Sequence, residues 1–353
     1  MLRNAFSLLL CLLLTVTLAA CAAPTEDTGD TTASTTTTTA PSSSSATTTT
    51  TQDKQFNVIT GNYDIEKGAS TRPVGVMIAN DSWAARPQVG LDKADLFVEI
   101  ETEGAITRIM AVFGSSARVP SLLAPVRSAR SPFVQIVGAL DLVYLHAGGS
   151  VPAKATLASG GFDHIDSAAC WRDETLWNER DYEHSLSTGG KKLTDYIADR
   201  GWETTPTRDM PYTFGSVTGT GAGAVAQVKI SAAETATFRY DTATGLYTKY
   251  LGSASSDEKH TMTDGSAITV SNVIVLYGEK YGETATKGDT CNFDLSAGTG
   301  KIISGGTSRD VTYTLTENGF TITEKDGSKA ALATGKTYIC IADTAYAESL
   351  KLS

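Results

Sequence analysis

Arg127 and Arg130 stand just before a helix start, and His146 and His184 follow further along the chain. A guanidinium holds its donors in a rigid planar fork that grips a carboxylate or phosphate through two parallel bonds. Imidazole is the side chain that exchanges a proton near neutrality. The pattern points to recognition of an anion by Arg127, Ser128 and Arg130, with His146, Gly148, Gly149, Ser150 and Arg172 beside them. The same set permits catalysis, in which His146 or His184 is a general base, Asp173 orients it and the arginines position substrate. It also permits a bland reading, in which the arginines pair with the chain's own carboxylates and hold a loop.

These residues need elements to bring them together. Ser131-Pro132 is a helix start: a hydroxyl can accept from an orphan backbone N–H, and proline in the first turn loses no needed donor. Phe133, Ile136, Val137 and Leu140 recur at helical spacing, which predicts a helix ending between Gly138 and Asp141. Leu142 to Leu145 then reads as a buried strand closed by His146. Gly148 and Gly149 permit a tight turn, and Ser150 with Pro152 opens a second helix. Two helix N-termini, each partly positive with unpaired N–H groups, thus open near one another. A strand running back beside the helix it follows returns His146 towards Arg130, so one partly open pocket is expected.

Around this centre, Pro73–Asn80, Asp95–Ile100 and Ile106–Phe113 read as strands, apolar and bounded by turn residues. A two-residue turn at Glu103-Gly104 would set Glu99 opposite Arg108 and Phe97 opposite Met110. Asp163 to Asp166 reads as a turn into a strand. Lys191 to Asp199 reads as a helix with Leu193 and Ile197 inward and Gly201 as its stop. Residues 208–224 read as a linker, since its glycines lack the lysine and helix of a phosphate loop. From Val225 to Ala342, short strand-like runs alternate with turns. The fold class expected is α+β: an N-terminal mixed sheet-and-helix domain over residues 53–207, then a mostly antiparallel β domain over 225–353.

The formal charge of −10 argues against nucleic acid as a partner. At the N-terminus, Arg3, the apolar run Phe6 to Ala20, and Leu18-Ala19-Ala20-Cys21 form a charged region, a hydrophobic region and a small-residue cleavage site, as in a bacterial lipobox. On this reading residues 1–20 are a signal peptide, Cys21 is lipidated, and the protein is anchored to a membrane from its outer, extracytoplasmic side. Residues from Thr25 to Gln52 are almost all Thr, Ser, Ala and acidic, so 21–52 is expected to be an anchor followed by a disordered stalk. The partners that follow are the membrane, through the lipid, and an anionic cell-wall or envelope ligand, with a cell-wall-modifying enzyme as the alternative.

Cys291 and Cys340 are the pair open to a disulfide in an oxidising exterior, which leaves Cys170 alone. No Cys/His spacing suggests zinc, so neither a metal nor a cofactor is expected. There is no G-x-S-x-G and no H-E-x-x-H, and Ser256-x-x-Lys259 falls in a loop without its companions. Glu99, Glu101, Glu103, Asp163, Asp166 and Asp173 include carboxylates that a glycosidase could use, but nothing in their spacing selects a pair.

A family resemblance runs through these motifs. Arg72-Pro73-Val74-Gly75-Val76-Met77-Ile78, Ala85-Arg86-Pro87-Gln88-Val89-Gly90-Leu91, Glu103-Gly104, Thr107-Arg108, Pro125-Val126-Arg127-Ser128-Ala129-Arg130 and His146-Ala147-Gly148-Gly149-Ser150 stand in the order found in the YerB-like bacterial lipoproteins. Thr237 to Asp241, Leu246 to Tyr250 and Asn272 to Val275 extend the resemblance into the C-terminal half. It implies a two-domain envelope lipoprotein, α+β then β-rich, whose activity is not established. This chain departs from the pattern at Ser185, where relatives tend to carry asparagine, and at Tyr313, where tryptophan is expected.

Overall fold

The computed structural model describes residues 53–81, 84–283, 290–317 and 319–353. The expected signal peptide, Cys21 and the stalk lie outside them. Val74–Ala79 (β1), Leu96–Glu101 (β2) and Thr107–Phe113 (β3) are buried along their whole length, as strands covered on both faces must be. Met77, Val98 and Met110 face one core, while Val76, Phe97 and Ile109 face the other.

Ser131–Leu140 (α1) forms where its apolar spacing placed it, with proline in its first turn. Its N-cap is Arg130 rather than Ser131, and no side chain caps it. Asp141 ends the helix in the left-handed region, at φ 53°. It is held there by Arg72, whose Nη2 lies 2.8 Å from Asp141 Oδ1. The chain returns as Val143–His146 (β4), and Val151–Ala158 (α2) follows with Ser150 as N-cap, its hydroxyl accepting from Ala153 N. His164–Asp166 (β5) extends the sheet, Glu174–Glu179 (α3) lies beyond it, and Gly190–Arg200 (α4) ends at Gly201, as its spacing and stop signal require.

The C-terminal runs also become strands: Val225–Lys229 (β6), Thr235–Asp241 (β7), Leu246–Leu251 (β8), Asn272–Glu283 (β9), Thr290–Asp294 (β10), Ala297–Ser304 (β11), Thr307–Thr316 (β12), Gly319–Thr323 (β13) and Thr337–Asp343 (β14). One sheet runs β12-β11-β9-β14-β2-β3-β1-β4-β5, with β10 on β9 and β13 on β12. Strand β14 lies parallel to both of its neighbours and joins β2 to β9, so the α+β part and the β-rich part share one sheet. Helix α1 and α2 cover one face. On the other, α4 and a second antiparallel sheet built on β6, β7 and β8 bury Leu193, Ile197, Val228, Phe238 and Tyr247. Residues 208–224 are more than a spacer, because Tyr212 is buried in the core and Thr213–Phe214 pairs with Ala331–Leu332.

The β2–β3 register differs from the expected one. Glu99 stands opposite Ile109, and Arg108 opposite Ile100. The connection is longer than two residues: Thr102 N bonds to Ile106 O, with Gly104 and Ala105 between them at φ 65° and 60°. A one-residue shift sends a side chain to the other face of a sheet. Glu99 and Arg108 therefore lie on opposite faces, and the expected ion pair between them does not form.

Glu99 is paired instead across the two parts of the chain. Lys249 Nζ is 3.0 Å from its Oε2, and both side chains are fully buried. Tyr338 OH donates to the same oxygen at 2.5 Å, while Asn80 Nδ2 and Thr107 Oγ1 donate to Oε1 at 2.8 and 2.7 Å. Lys249 Nζ also donates to His260 Nδ1 at 3.1 Å, and His260 Nε2 donates to Gln88 Oε1 at 2.9 Å. Each charge in this interior has a counter-charge and hydrogen bonds, the condition under which a buried ion pair is tolerated.

The cysteines do not pair. Cys340 is buried in the core on the β6–β8 side, Cys291 packs against the core on the α1 side, and both are free thiols. A disulfide bridges Cα atoms only about 4.4–6.8 Å apart, with side chains aimed at one another, so two cysteines committed to opposite faces of a sheet are poor partners.

Candidate anion site at the strand ends

Strands β1, β2, β4 and β5 run in one direction, so their C-terminal ends share one edge of the sheet. Helices α1 and α2 start at that edge, because α1 leads into β4 and α2 leaves it. Ligands of open α/β sheets gather at such edges. Here residues 127–130 and 146–150 run side by side: Ala147 N bonds to Arg127 O at 2.9 Å, Ala129 N to Gly148 O at 3.0 Å, and Ser150 N to Ala129 O at 3.1 Å. Gly148, at φ 70°, makes the turn, and its N–H donates to Asp166 Oδ1 at 2.7 Å. At Gly149 an added Cβ would lie 3.0 Å from Lys154 Cγ.

The guanidinium groups are held unequally. Arg130 lays its fork on Glu103, with Nε 2.6 Å from Oε2 and Nη2 on Oε1. Arg108 reaches the same carboxylate, Nη2 to Oε1 at 2.9 Å, and donates from Nη1 to Ser128 O at 2.6 Å. Among the described residues the Arg127 guanidinium meets Glu183 alone, at 2.8 Å, and that carboxylate is 66% exposed. For Arg130 the internal partner that the bland reading asks for is present; for Arg127 it is a surface ion pair. Burial alone would raise the Glu103 carboxyl, but the Arg130 hydrogen bond and the charges of Arg108 and Arg130 hold it at about 2. Burial, then the repulsion of Arg130, brings the Arg108 guanidinium down to about 10. Tyr144 adds an unusual feature: its ring is fully buried near Arg108 and Arg130, and its hydroxyl has no hydrogen-bond partner among the described residues.

The histidines are not placed as bases. His146 Nδ1 is 2.7 Å from Gly148 O, and a carbonyl only accepts, so that nitrogen carries the proton. Its Nε2 then accepts from His164 Nδ1 at 3.1 Å. Burial lowers its affinity for a second proton. His184 lies between Asp81, 3.1 Å from Nε2, and Asp181, 2.6 Å from Nδ1. The hydrogen bond to Asp81 raises it most, against burial, and Asp181 adds to this, which favours an imidazolium. Asp173 orients neither ring. It is the N-cap of α3, accepting from Leu176 N at 3.1 Å, because an Asp just before a helix finds orphan N–H groups within reach. Arg172 stacks 3.8 Å over the Tyr182 ring and donates to Tyr182 O, apart from the Glu103 cluster's hydrogen bonds.

Nothing in the sequence marks Arg108, Tyr144, His164 or Asp81 as residues of this site. A two-residue turn would commit Arg108 to Glu99, and the other three reach the edge through strand pairings or chain crossings that no local pattern records.

The comparisons with known proteins agree with this architecture. The N-terminal domain described as "Protein of unknown function (DUF3048)" matches residues 59–203, and the C-terminal domain of the same description matches 226–339. YerB of Bacillus subtilis (strain 168), provisionally named a lipoprotein, is 27% identical over 296 residues, covering 80% of this chain and 85% of that protein. The crystal structure of YerB from Bacillus subtilis superposes with a TM-score of 0.69 at 25% identity, over 85% of this chain and 100% of that one. With both domains matched in order and the same fold found across most of its length, the chain belongs to the YerB-like family of proteins of unknown function.

Proposed function

We propose that this protein is a lipoprotein of the bacterial cell envelope, anchored through Cys21 on the extracytoplasmic side of the membrane, and that it binds an anionic group of a wall or envelope ligand at the arginine edge. The lipobox Leu18-Ala19-Ala20-Cys21, the Thr/Ser-rich segment after it and the lipoprotein name of YerB support the anchor. No helix of the described residues is long and apolar enough to cross a membrane.

The observation that carries the binding reading is the gathering of three guanidinium groups at the edge, one of which has, among the described residues, only an exposed partner. Arg108 and Arg130 share Glu103, Arg127 holds the exposed Glu183, and the Tyr144 hydroxyl has no hydrogen-bond partner among the described residues. Arg127 is the group that an external carboxylate or phosphate can claim, since exchanging Glu183 for a ligand breaks only a surface pair of small worth.

Titrating the full-length chain with inorganic phosphate and with a dicarboxylate tests this. Saturable binding that Arg127→Gln weakens about tenfold supports the reading. Binding of neither, or binding indifferent to Arg127, removes it. The anchor is tested by fractionating cells that carry Cys21→Ser: the variant should leave the lipidated membrane pool, and a wild type found wholly soluble would refute lipidation.

A further inference from the structure

A cleft of about 1000 Å³ lies between helices α1 and α2 on one side and the ends of β9, β10 and β12 on the other. That is the upper range of small-ligand sites. Its central feature is an aromatic ring held in place yet open to solvent. Tyr281 is 47% exposed, and its hydroxyl accepts from Asn292 Nδ2 at 2.8 Å. Asn292 is itself buried, and its Oδ1 accepts from Gln135 Nε2 of α1 at 3.1 Å. Gln135 Nε2 also reaches Phe293 O at 3.2 Å. This chain of amides crosses from the helix layer to the β-rich part and fixes the ring before any ligand arrives, which lowers the ordering penalty of binding.

The charges lining the cleft select the ligand. Glu279 and Asp294 stand directly opposite one another across β9 and β10. Like charges in that position are destabilising. Glu317 adds a third carboxylate, Arg208 is the cation among the lining residues, and none of the four makes an ion pair among the described residues. An anion is repelled here. The cleft instead offers acceptors to a ligand rich in hydroxyl and amide donors, with a flat ring to stack against. Phe162 lines the helix side.

We infer that this cleft binds a neutral saccharide, an acetamido-sugar chain whose C–H faces lie on Tyr281 and whose hydroxyl and amide groups meet Gln135, Asp294 and Glu279. Arg108, Arg127 and Arg130 are not among the residues that line this cleft, and the inference does not rest on the reading given for them.

The test is calorimetric titration of the full-length chain with soluble β-linked N-acetylglucosamine oligomers, with oligolysine as the cationic competitor. Saturable binding of the sugar is expected, weakened about tenfold or more by Tyr281→Ala, less by Tyr281→Phe, which keeps the ring and loses its tether, and unchanged by Lys191→Gln on the exposed face of α4. Thermal unfolding of each variant separates loss of the site from loss of the fold. For a variant that does not fold, Asp294→Asn replaces it and must weaken sugar binding. Absence of sugar binding, sugar binding indifferent to Tyr281→Ala and Asp294→Asn, or oligolysine binding alone would each overturn the inference.

Discussion

Glu99 and Glu103 sit at the two ends of one strand-and-turn, yet their surroundings differ in kind. Glu99 lies in a closed interior, where Lys249, Tyr338, Asn80 and Thr107 together occupy both of its oxygens. Glu103 lies at the rim, serving Arg108 and Arg130 while Arg127 leans on an exposed carboxylate nearby. The first network is complete and leaves nothing for a ligand to claim. The second ends in solvent, where the partner of Arg127 is an exposed carboxylate. A charged cluster leaves room for a ligand when a member is held only by an exposed partner, and serves architecture when every member is enclosed.

The largest effect that separates the two should come from Lys249. Lys249→Ala strands a carboxylate in a fully enclosed site and should cost about 3–5 kcal/mol in denaturant unfolding. The double variant Glu99→Gln, Lys249→Met removes both charges and should lose less than Lys249→Ala alone. Should the single variant be as stable as wild type, the interior network would not be what joins the two parts.

A middle-sized effect distinguishes the arginines from one another. Arg130→Ala leaves Glu103 with one partner fewer at a half-buried site and should cost about 2 kcal/mol. Arg127→Ala, on a surface pair, should change stability by less than about 1 kcal/mol. Equal losses at both positions would make the whole rim structural and undo the contrast.

The subtlest prediction is one of sign. Burial holds His260 neutral, far below its ordinary range, with the charges of Lys249 and Arg86 acting the same way. The unfolded chain takes up a proton below about pH 6.5 that the folded one refuses, so this group removes stability as pH falls. His184 is raised, so the folded state holds its proton longer. Its contribution is full below about pH 6.5 and is lost as pH rises through the higher folded value. Melting curves from pH 5 to 8 should show His260→Gln flattening the acid decline, and His184→Gln losing most at the acid end and least at the alkaline end. The same slope from both variants would break the comparison.

Much of the framework could be read directly from the sequence. The apolar run Val74 to Ile78, the helical spacing from Phe133 to Leu140, the Ser150 cap and the Gly201 stop each record a local preference that tertiary packing keeps. The β2–β3 register was not legible, because Ala105 adopts a left-handed conformation that its residue type does not announce. Lys249 left a usable signal: it shares the inward face of β8 with Tyr247, where a strand obeying simple alternation would carry an apolar residue. The convergence of 127–130 on 146–150 followed from a helix leading into a strand. What each guanidinium touches did not, since Glu103 and Glu183 arrive from separate loops.

The position of β14 sets an order in time. Synthesis delivers the chain from its N-terminus, so β2 and β9 both exist before Thr337–Asp343 does, and each presents an unpaired edge until that strand arrives. Parallel pairing over such a separation forms slowly, and bare strand edges in the interval invite pairing with other chains. A nascent chain released before residue 337 would therefore be a sticky pair of half-sheets rather than a smaller version of the protein. Strand β14 acts as the bolt that closes the two half-sheets into one.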